Sequence, residues 1–360
     1  MAYVAVSGGE QAIEASLELL RAELASSRDD LTLASLAAAL PELIDQVMGE
    51  SSLYDTQLAA LALKQGGGSV EEAVFLLRAF RSTLERAYVS RTIETSQMSV
   101  SRRISAAFKD ILGGQILGVT RDYSHRLLDF SLAESGSDGG EALDFGASAD
   151  ALAGYDELPR VSAYLAEQGL LSLPEADDSI PGDITMEPLT FPAPRSIRLQ
   201  ALARGMTQGV MALGYAGIRG FGPAHPTIGE LRYGRLPITI DHPFEPGDEE
   251  DAYYVGSIAV TEVEGLFSVE SEVAADTEDH ALAFGIGYGL VFGRAESKAI
   301  AMSVLDFCLS LNDSSQPTGD EEFVLYHIDG IEATGFISHL KLPHYVTFQS
   351  KLSSTRKSKE

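Results

Sequence analysis

Apolar residues recur at helical spacing through the first third of the chain. Ile13, Leu17, Leu20 and Leu24 share one face of a helix expected over residues 10–27. The same spacing predicts helices over 32–49 and 54–65. Gly66-Gly67-Gly68 then interrupts the pattern, and Ser69-Val-Glu-Glu72 reads as a capping box opening a further helix. That helix is expected to bury Leu76, Phe80, Leu84 and Ala87 as one stripe, with Arg78 and Arg81 off it. Residues 1–130 therefore read as a helical domain.

The pattern changes after that. Residues 131–150 are rich in Ser, Gly, Ala and Asp, and 172–194 in Pro and Asp. Residues 131–194 are expected to form an acidic linker or insertion, with a short helix near 158–170. Residues 195–214 are expected to be helical again. Period-two alternation follows over 231–241 and 253–270, with Ile238 and Ile240 in the first and Tyr254, Ile258 and Val260 in the second. Residues 284–292 are a further strand candidate. A helix is expected over 294–311, with Ala301, Leu305 and Cys308 on one side, and another over 321–339, continuous or broken at Gly330. Residues 195–349 thus read as a mixed domain of helices and antiparallel sheet, and 350–360 as a loose tail. The expected fold class is α+β, helical first and mixed later.

Composition adds two constraints. The chain has 360 residues, enough for two or three packed units, and a single cysteine, Cys308, which excludes an intrachain disulfide or a metal site built on several cysteines of this chain. It carries 53 acidic and 26 basic side chains, a net charge of −27. That field repels nucleic acid and anionic membranes, so neither is an expected partner. The opening residues lack the basic and apolar regions of a signal peptide, and a cytoplasmic location is expected.

Charge is also unevenly distributed. Residues 195–235 hold Arg195, Arg198, Arg204, Arg219, Arg232 and Arg235 against one acid, Glu230, between two stretches almost devoid of positive charge. Arginine forks onto phosphate or carboxylate. The block either pairs with the flanking acids or serves a phosphate ligand or partner.

Four local constellations could carry chemistry. In His339-Leu-Lys-Leu-Pro-His344 the two histidines would lie about 140° apart on an unbroken helix, at about 100° per residue. Pro343 opposes such a helix, and a bend there could bring both imidazoles to one ion. Two ligands do not complete a zinc site, so another chain or water would supply the rest. Gly285-Ile-Gly287-Tyr-Gly289-Leu-Val-Phe-Gly293 precedes a helix and could approach a phosphate, or could be a strand packed closely on a neighbour. Residues 220–232 place His225, Glu230 and Arg232 in a glycine-rich stretch suited to a phosphate ester or ribose, or to a plain connection. His125 and Asp129, four apart, could share a hydrogen bond if helical.

Taken in order, several blocks resemble one family. They are Tyr3-Val-Ala-Val6 with Gly8-Gly9-Glu10, Leu61-Ala-Leu-Lys-Gln65, Arg102-Arg-Ile-Ser105, Gly113-Gly-Gln115 and His125-Arg-Leu-Leu-Asp-Phe130. Gly287-Tyr-Gly-Leu-Val-Phe-Gly293, Glu321-Glu-Phe-Val-Leu325 and Ser338-His-Leu-Lys-Leu-Pro-His-Tyr345 follow. The set resembles the I subunit of the bacterial phosphonate carbon–phosphorus lyase core complex, nearly end to end except in the acidic stretches 131–194 and 236–282. The resemblance implies a subunit that takes part in forming α-D-ribose 1-methylphosphonate 5-triphosphate from MgATP and methylphosphonate with release of adenine. Alone, such a subunit is a nucleosidase on ATP or GTP. It implies G, H and J subunits as partners in the core, with accessory ATP-binding-cassette-like K and L subunits. It also implies zinc at His339 and His344, shared with the J subunit. The alternative is a scaffold without catalytic groups that supplies half of that zinc site.

For such chemistry, Arg195, Arg198, Arg204, Arg219 and Arg232 are the candidate triphosphate clamp. His225 or His125 is the candidate donor to the departing purine. Glu230 is the candidate that stabilises positive charge at C1′ of the ribose.

Overall fold

The computed structural model describes residues 9–26, 31–124, 126–128, 130, 158–171, 173–174, 179–221, 225–244, 251–270 and 282–359. The chain divides into two units, Met1–Leu84 and Glu85–Glu360.

The first unit is helical. α1 (Gly9–Ser26) is followed by α2 (Leu33–Ala39), α3 (Pro41–Ser51), α4 (Thr56–Gln65) and α5 (Val70–Arg81). The single helix expected over 32–49 is two helices. Pro41 takes the first position of α3, and its ring keeps Leu40 out of helical geometry (φ −127°, ψ 49°). Asp55 caps α4, its Oδ1 accepting the N–H groups of Gln57 and Leu58, both at 2.9 Å. Ser69 caps α5 by accepting the Glu72 N–H at 3.3 Å.

The buried face of α5 differs from the expected one. Ala73, Val74 and Leu77 are buried against α3 and α4, whereas Phe80 and Leu84 are exposed. The helix ends at Arg81, so Leu84 and Ala87 never join the stripe. The small side chains of Ala59, Ala60 and Ala62 in α4 let α5 approach through its own small residue, Ala73.

The second unit holds the sheet, with strand order β1-β2-β3-β4 and every pairing antiparallel. β1 (Ser99–Ile104) lies within the stretch expected to be helical, so the expectation of a helical domain to residue 130 is corrected. β1 carries Arg102 and Arg103 at 2% and 0% exposure, so a hydrophobicity pattern does not reveal it. α6 (Val161–Glu167), α7 (Arg195–Arg204) and α8 (Thr207–Ile218) come next. The helix expected over 195–214 is interrupted at Gly205-Met206. There the buried Lys298 ammonium donates to the carbonyls of Ala203 (2.8 Å) and Gly205 (2.7 Å), satisfying the end of α7.

β2 (Thr227–Ile240), β3 (Tyr253–Glu270) and β4 (Leu282–Phe292) match the expected strands with modest extensions. α9 (Glu296–Ser310), α10 (Glu321–His327) and α11 (Gly330–Ser338) follow, the last two separated at Ile328-Asp329. α12 (Tyr345–Lys357) occupies most of the segment expected to be a loose tail.

α9 covers one face of the sheet, against Leu231, Val263 and Val291. It sits so close that the glycine-rich strand has no room for side chains. A Cβ on Gly287 would lie 2.0 Å from the Ser303 carbonyl oxygen, and one on Gly289 would lie 2.1 Å from that of Ala299. Close packing, not a phosphate loop, accounts for Gly285 to Gly289. Gly287→Ala is therefore expected to lower stability by about 2–3 kcal/mol, since two backbones must separate. Urea denaturation of the full chain checks this, and an unchanged midpoint would contradict it.

Candidate functional site

The opposite face of the sheet carries buried charge. Glu230 stands opposite Glu264 and Arg232 opposite Glu262 across β2 and β3, and Arg103 of β1 stands opposite Arg232. Residues directly opposite share a face. These buried charges lie between two apolar clusters, one around Val100, Leu236 and Val260 and one around Val161, Leu165 and Leu266.

Glu262 is the hub. It accepts from Arg232 (Nε, 2.9 Å, and Nη2), from Arg160 Nη2 at 3.1 Å, from Thr95 Oγ1 at 2.7 Å and from the Tyr288 hydroxyl at 2.9 Å. Burial opposes its charge, but Arg232 and Arg160 prevail and hold the carboxyl below its ordinary range. Glu264 ion-pairs with Arg160 and is held by the Ser162 side chain as well, but burial pushes its carboxyl up. Its Oε2 and Arg232 Nη1 are buried without a hydrogen-bond partner among the described residues. Burial and then Glu262 push the Tyr288 hydroxyl up as well, so it stays a neutral donor.

Glu230 binds Arg103 Nε at 2.6 Å and accepts the Val161 N–H at 3.1 Å. Arg103 further donates to the carbonyls of Leu112 (2.6 Å), Gly114 (3.3 Å) and Pro159 (2.5 Å). Glu230 is thus sealed at 2% exposure, and its two oxygens hold the sheet and α6 together.

The arginines of 195–235 do not converge. Arg195 forks onto buried Asp306 of α9 (3.1 and 2.6 Å), on the helical side of the sheet, while Arg232 lies in the opposite face. Arg198 and Arg204 share α7 with Arg195; Arg198 Nε is buried without a partner among the described residues. Arg219 ends α8 and lies over the Tyr215 ring, 5.7 Å from its centre. Arg235 donates to Ser257. His225 is exposed just before β2. His125 and Asp129 lie outside the described residues. Sequence reasoning missed Arg103, Arg160, Glu262, Glu264 and Tyr288. The available signal was the repeated acid at alternate positions of β3, within a run otherwise apolar enough to be buried.

The histidine pair does come together. α11 ends at Ser338, a 3-10 turn spans His339–Lys341, and Pro343 precedes α12. The bend leaves the His339 and His344 ring centres 5.6 Å apart. Each Nδ1 meets a backbone carbonyl: His339 that of Phe336, and His344 that of Leu342 at 2.6 Å. Donation from Nδ1–H leaves the lone pair on Nε2, the arrangement that suits a metal-ligating imidazole. Among the described residues no group of three or more His, Cys, Asp or Glu surrounds a common point, and the pair alone offers two nitrogens where a zinc ion takes three or four protein ligands. No described helix is long and apolar enough to cross a membrane.

Residues 2–360 match the family described as bacterial phosphonate metabolism protein, PhnI. The chain belongs to the PhnI family. Its similarity to curated PhnI relatives is also end to end. It is 43% identical over 356 residues to the Escherichia coli (strain K12) α-D-ribose 1-methylphosphonate 5-triphosphate synthase subunit PhnI, covering 97% of this chain and 96% of that one. It is 41% identical to the protein of the same name in Rhizobium meliloti (strain 1021), covering 99% and 94%. A protein of Stutzerimonas stutzeri named putative C-P lyase subunit protein HtxH is 42% identical, covering 99% and 95%. Family membership places the chain in phosphonate metabolism.

Proposed function

We propose that the chain is a subunit of a carbon–phosphorus lyase machinery and takes part in displacing adenine from MgATP by methylphosphonate, giving α-D-ribose 1-methylphosphonate 5-triphosphate. The observation that supports this is the likeness over nearly the whole of both chains to the Escherichia coli protein named as a subunit of that synthase. In the displacement a phosphonate oxygen attacks C1′ on the face opposite the base, the C1′–N9 bond breaks, and the electron pair leaves with the purine, which takes a proton. Without the phosphonate, water attacks instead and the chain is a purine nucleosidase on ATP or GTP. MgATP is substrate, and its magnesium travels with it.

The chain's own groups divide that work. Arg198, with a buried donor lacking a partner among the described residues, is the best placed of the expected arginines to hold the triphosphate, together with Arg204 on the same helix. Arg195 and Arg232 are positioning residues, committed to Asp306 and Glu262. His225, exposed at the entry to β2, is the proposed donor to the purine, with His125 as the other candidate. Glu230 acts through Arg103 rather than at C1′, since both of its oxygens are engaged.

Nε2 of His339 and of His344 would hold zinc, which when bound supplies a Lewis acid or a fixed tie between subunits. The proposed J subunit supplies the remaining ligands; G and H complete the core and K and L are accessory. The surface around the histidines suits such docking: Phe336, Ile337, Leu340, Val346 and Phe348 are all exposed. One observation favours the scaffold alternative, namely that the buried ionic layer is largely closed and self-paired. Phosphorus NMR of the reconstituted complex with MgATP and methylphosphonate separates the two. Conversion of free methylphosphonate to its ribosyl ester, with one adenine per ester, is expected; adenine with unreacted methylphosphonate would contradict transfer.

A further inference from the structure

We propose that a preformed cleft between the 105–115 loop and α6 is the slot for the purine base of the nucleotide substrate. This rests on the nucleotide reading above and gives that substrate a place. The cleft has a volume of about 280 Å³ and apolar walls from Phe108, Ile111, Val161 and Tyr164. That size is at the lower edge of small-molecule pockets, fit for one flat heterocycle rather than a whole triphosphate. Phe108 and Tyr164 meet edge to face, with ring centres 5.6 Å apart, leaving part of the Tyr164 ring exposed for a base to stack on.

Two charged residues at the cleft match the edge of a purine. Arg160 lines it and can donate to ring nitrogens; Asp110 lines it and can accept from an exocyclic amine. Arg160 is held from behind by Glu262, Glu264 and Thr95. These bonds run from Nη1 and Nη2, so the Nε–H is the donor assigned to an incoming acceptor.

The walls are fixed before any ligand arrives. Arg103, itself fully buried, donates to Leu112 O on one wall and Pro159 O on the other. Gln115 Nε2 donates to Lys109 O at 3.0 Å, and Ser105 Oγ accepts the N–H groups of Ala107 (3.2 Å) and Phe108 (3.1 Å). A rigid apolar slot loses little entropy on binding a rigid base.

The test uses the full chain, with adenine itself as probe in titration calorimetry, and the KM for ATP in adenine release. Tyr164→Ala removes the stacking surface, and Ile111→Trp fills the slot. Both are expected to weaken adenine binding and raise the KM for ATP by about tenfold or more. Tyr164 is half-exposed, so its variant should keep the thermal midpoint of the parent, which circular dichroism checks. Absence of adenine binding to the parent chain, or unchanged adenine affinity and KM in a folded Tyr164→Ala variant, would overturn the proposal. Adenine binding lost in the variants, from a chain that releases no adenine from ATP, would keep the slot and remove the nucleosidase reading instead.

Discussion

Glu262→Gln is expected to destabilise the chain by about 3–5 kcal/mol, the cost of leaving a buried charge without its partner. Glu262 receives hydrogen bonds from Arg232, Arg160, Thr95 and Tyr288. Glutamine keeps one accepting oxygen and turns an N–H₂ toward two guanidinium groups. Arg232 suffers most, since it is 2% exposed and no water replaces the lost carboxylate. Glu264→Gln is expected to do much less, because burial pushes its carboxyl up and its Oε2 has no hydrogen-bond partner among the described residues.

The two acids also differ in pH dependence. The Glu262 carboxyl is held below its ordinary value, so the stability it contributes is present above that value and is lost as pH falls through the folded one. The Glu264 carboxyl is raised, so its contribution is complete below the ordinary value and is lost as pH rises through the folded one. Urea midpoints at acid and neutral pH should therefore show Glu264→Gln gaining on the parent as pH rises. A Glu262→Gln midpoint equal to that of the parent at neutral pH would remove the hub role.

The second large effect concerns the bend after α11. His339→Ala with His344→Ala is expected to cut zinc retention by the assembled complex by at least about 100-fold, since loss of outer-shell groups alone costs about 10- to 100-fold. Each imidazole has its Nδ1 tied to a backbone carbonyl, which leaves Nε2 as the ligating nitrogen of an already oriented ring. Elemental analysis of the purified complex measures the metal. A full complement of zinc in the double variant would place the site elsewhere.

Much of the fold was legible because it rests on periodicity. α4, β2, β3 and α9 follow patterns of 3.6 or 2 that burial enforces, whereas α1 forms at the expected place with Ile13, Leu17 and Leu20 of its stripe exposed. The failures have local causes. Pro41 broke a helix that hydrophobic spacing alone made continuous. α5 presents two apolar stripes, and the small residues of α4 chose the one at Ala73, Val74 and Leu77. β1 escaped notice because adjacent arginines occupy buried positions on opposite faces, Arg102 pairing with Glu296 and Arg103 with Glu230.

The candidate site was legible only in part. Arg195 and Arg232 belong to one basic block of the sequence yet lie on opposite sides of the sheet, so the block did not make a basic patch. Glu262 and Glu264 alternate as a solvated strand face would, yet both are buried, with Arg160 bound to each and Thr95 to Glu262. The histidine pair was legible as a pair, but its convergence depended on a turn that spacing left open.

The most direct measurement is adenine release from MgATP by the purified chain, alone and then with its partner subunits and methylphosphonate. Release by the isolated chain, converted in the complex to release that requires methylphosphonate, is the expected result. A chain that is inert alone, and whose Arg198→Ala variant releases adenine in the complex at the parental rate and KM, would show that the nucleotide is held by another subunit.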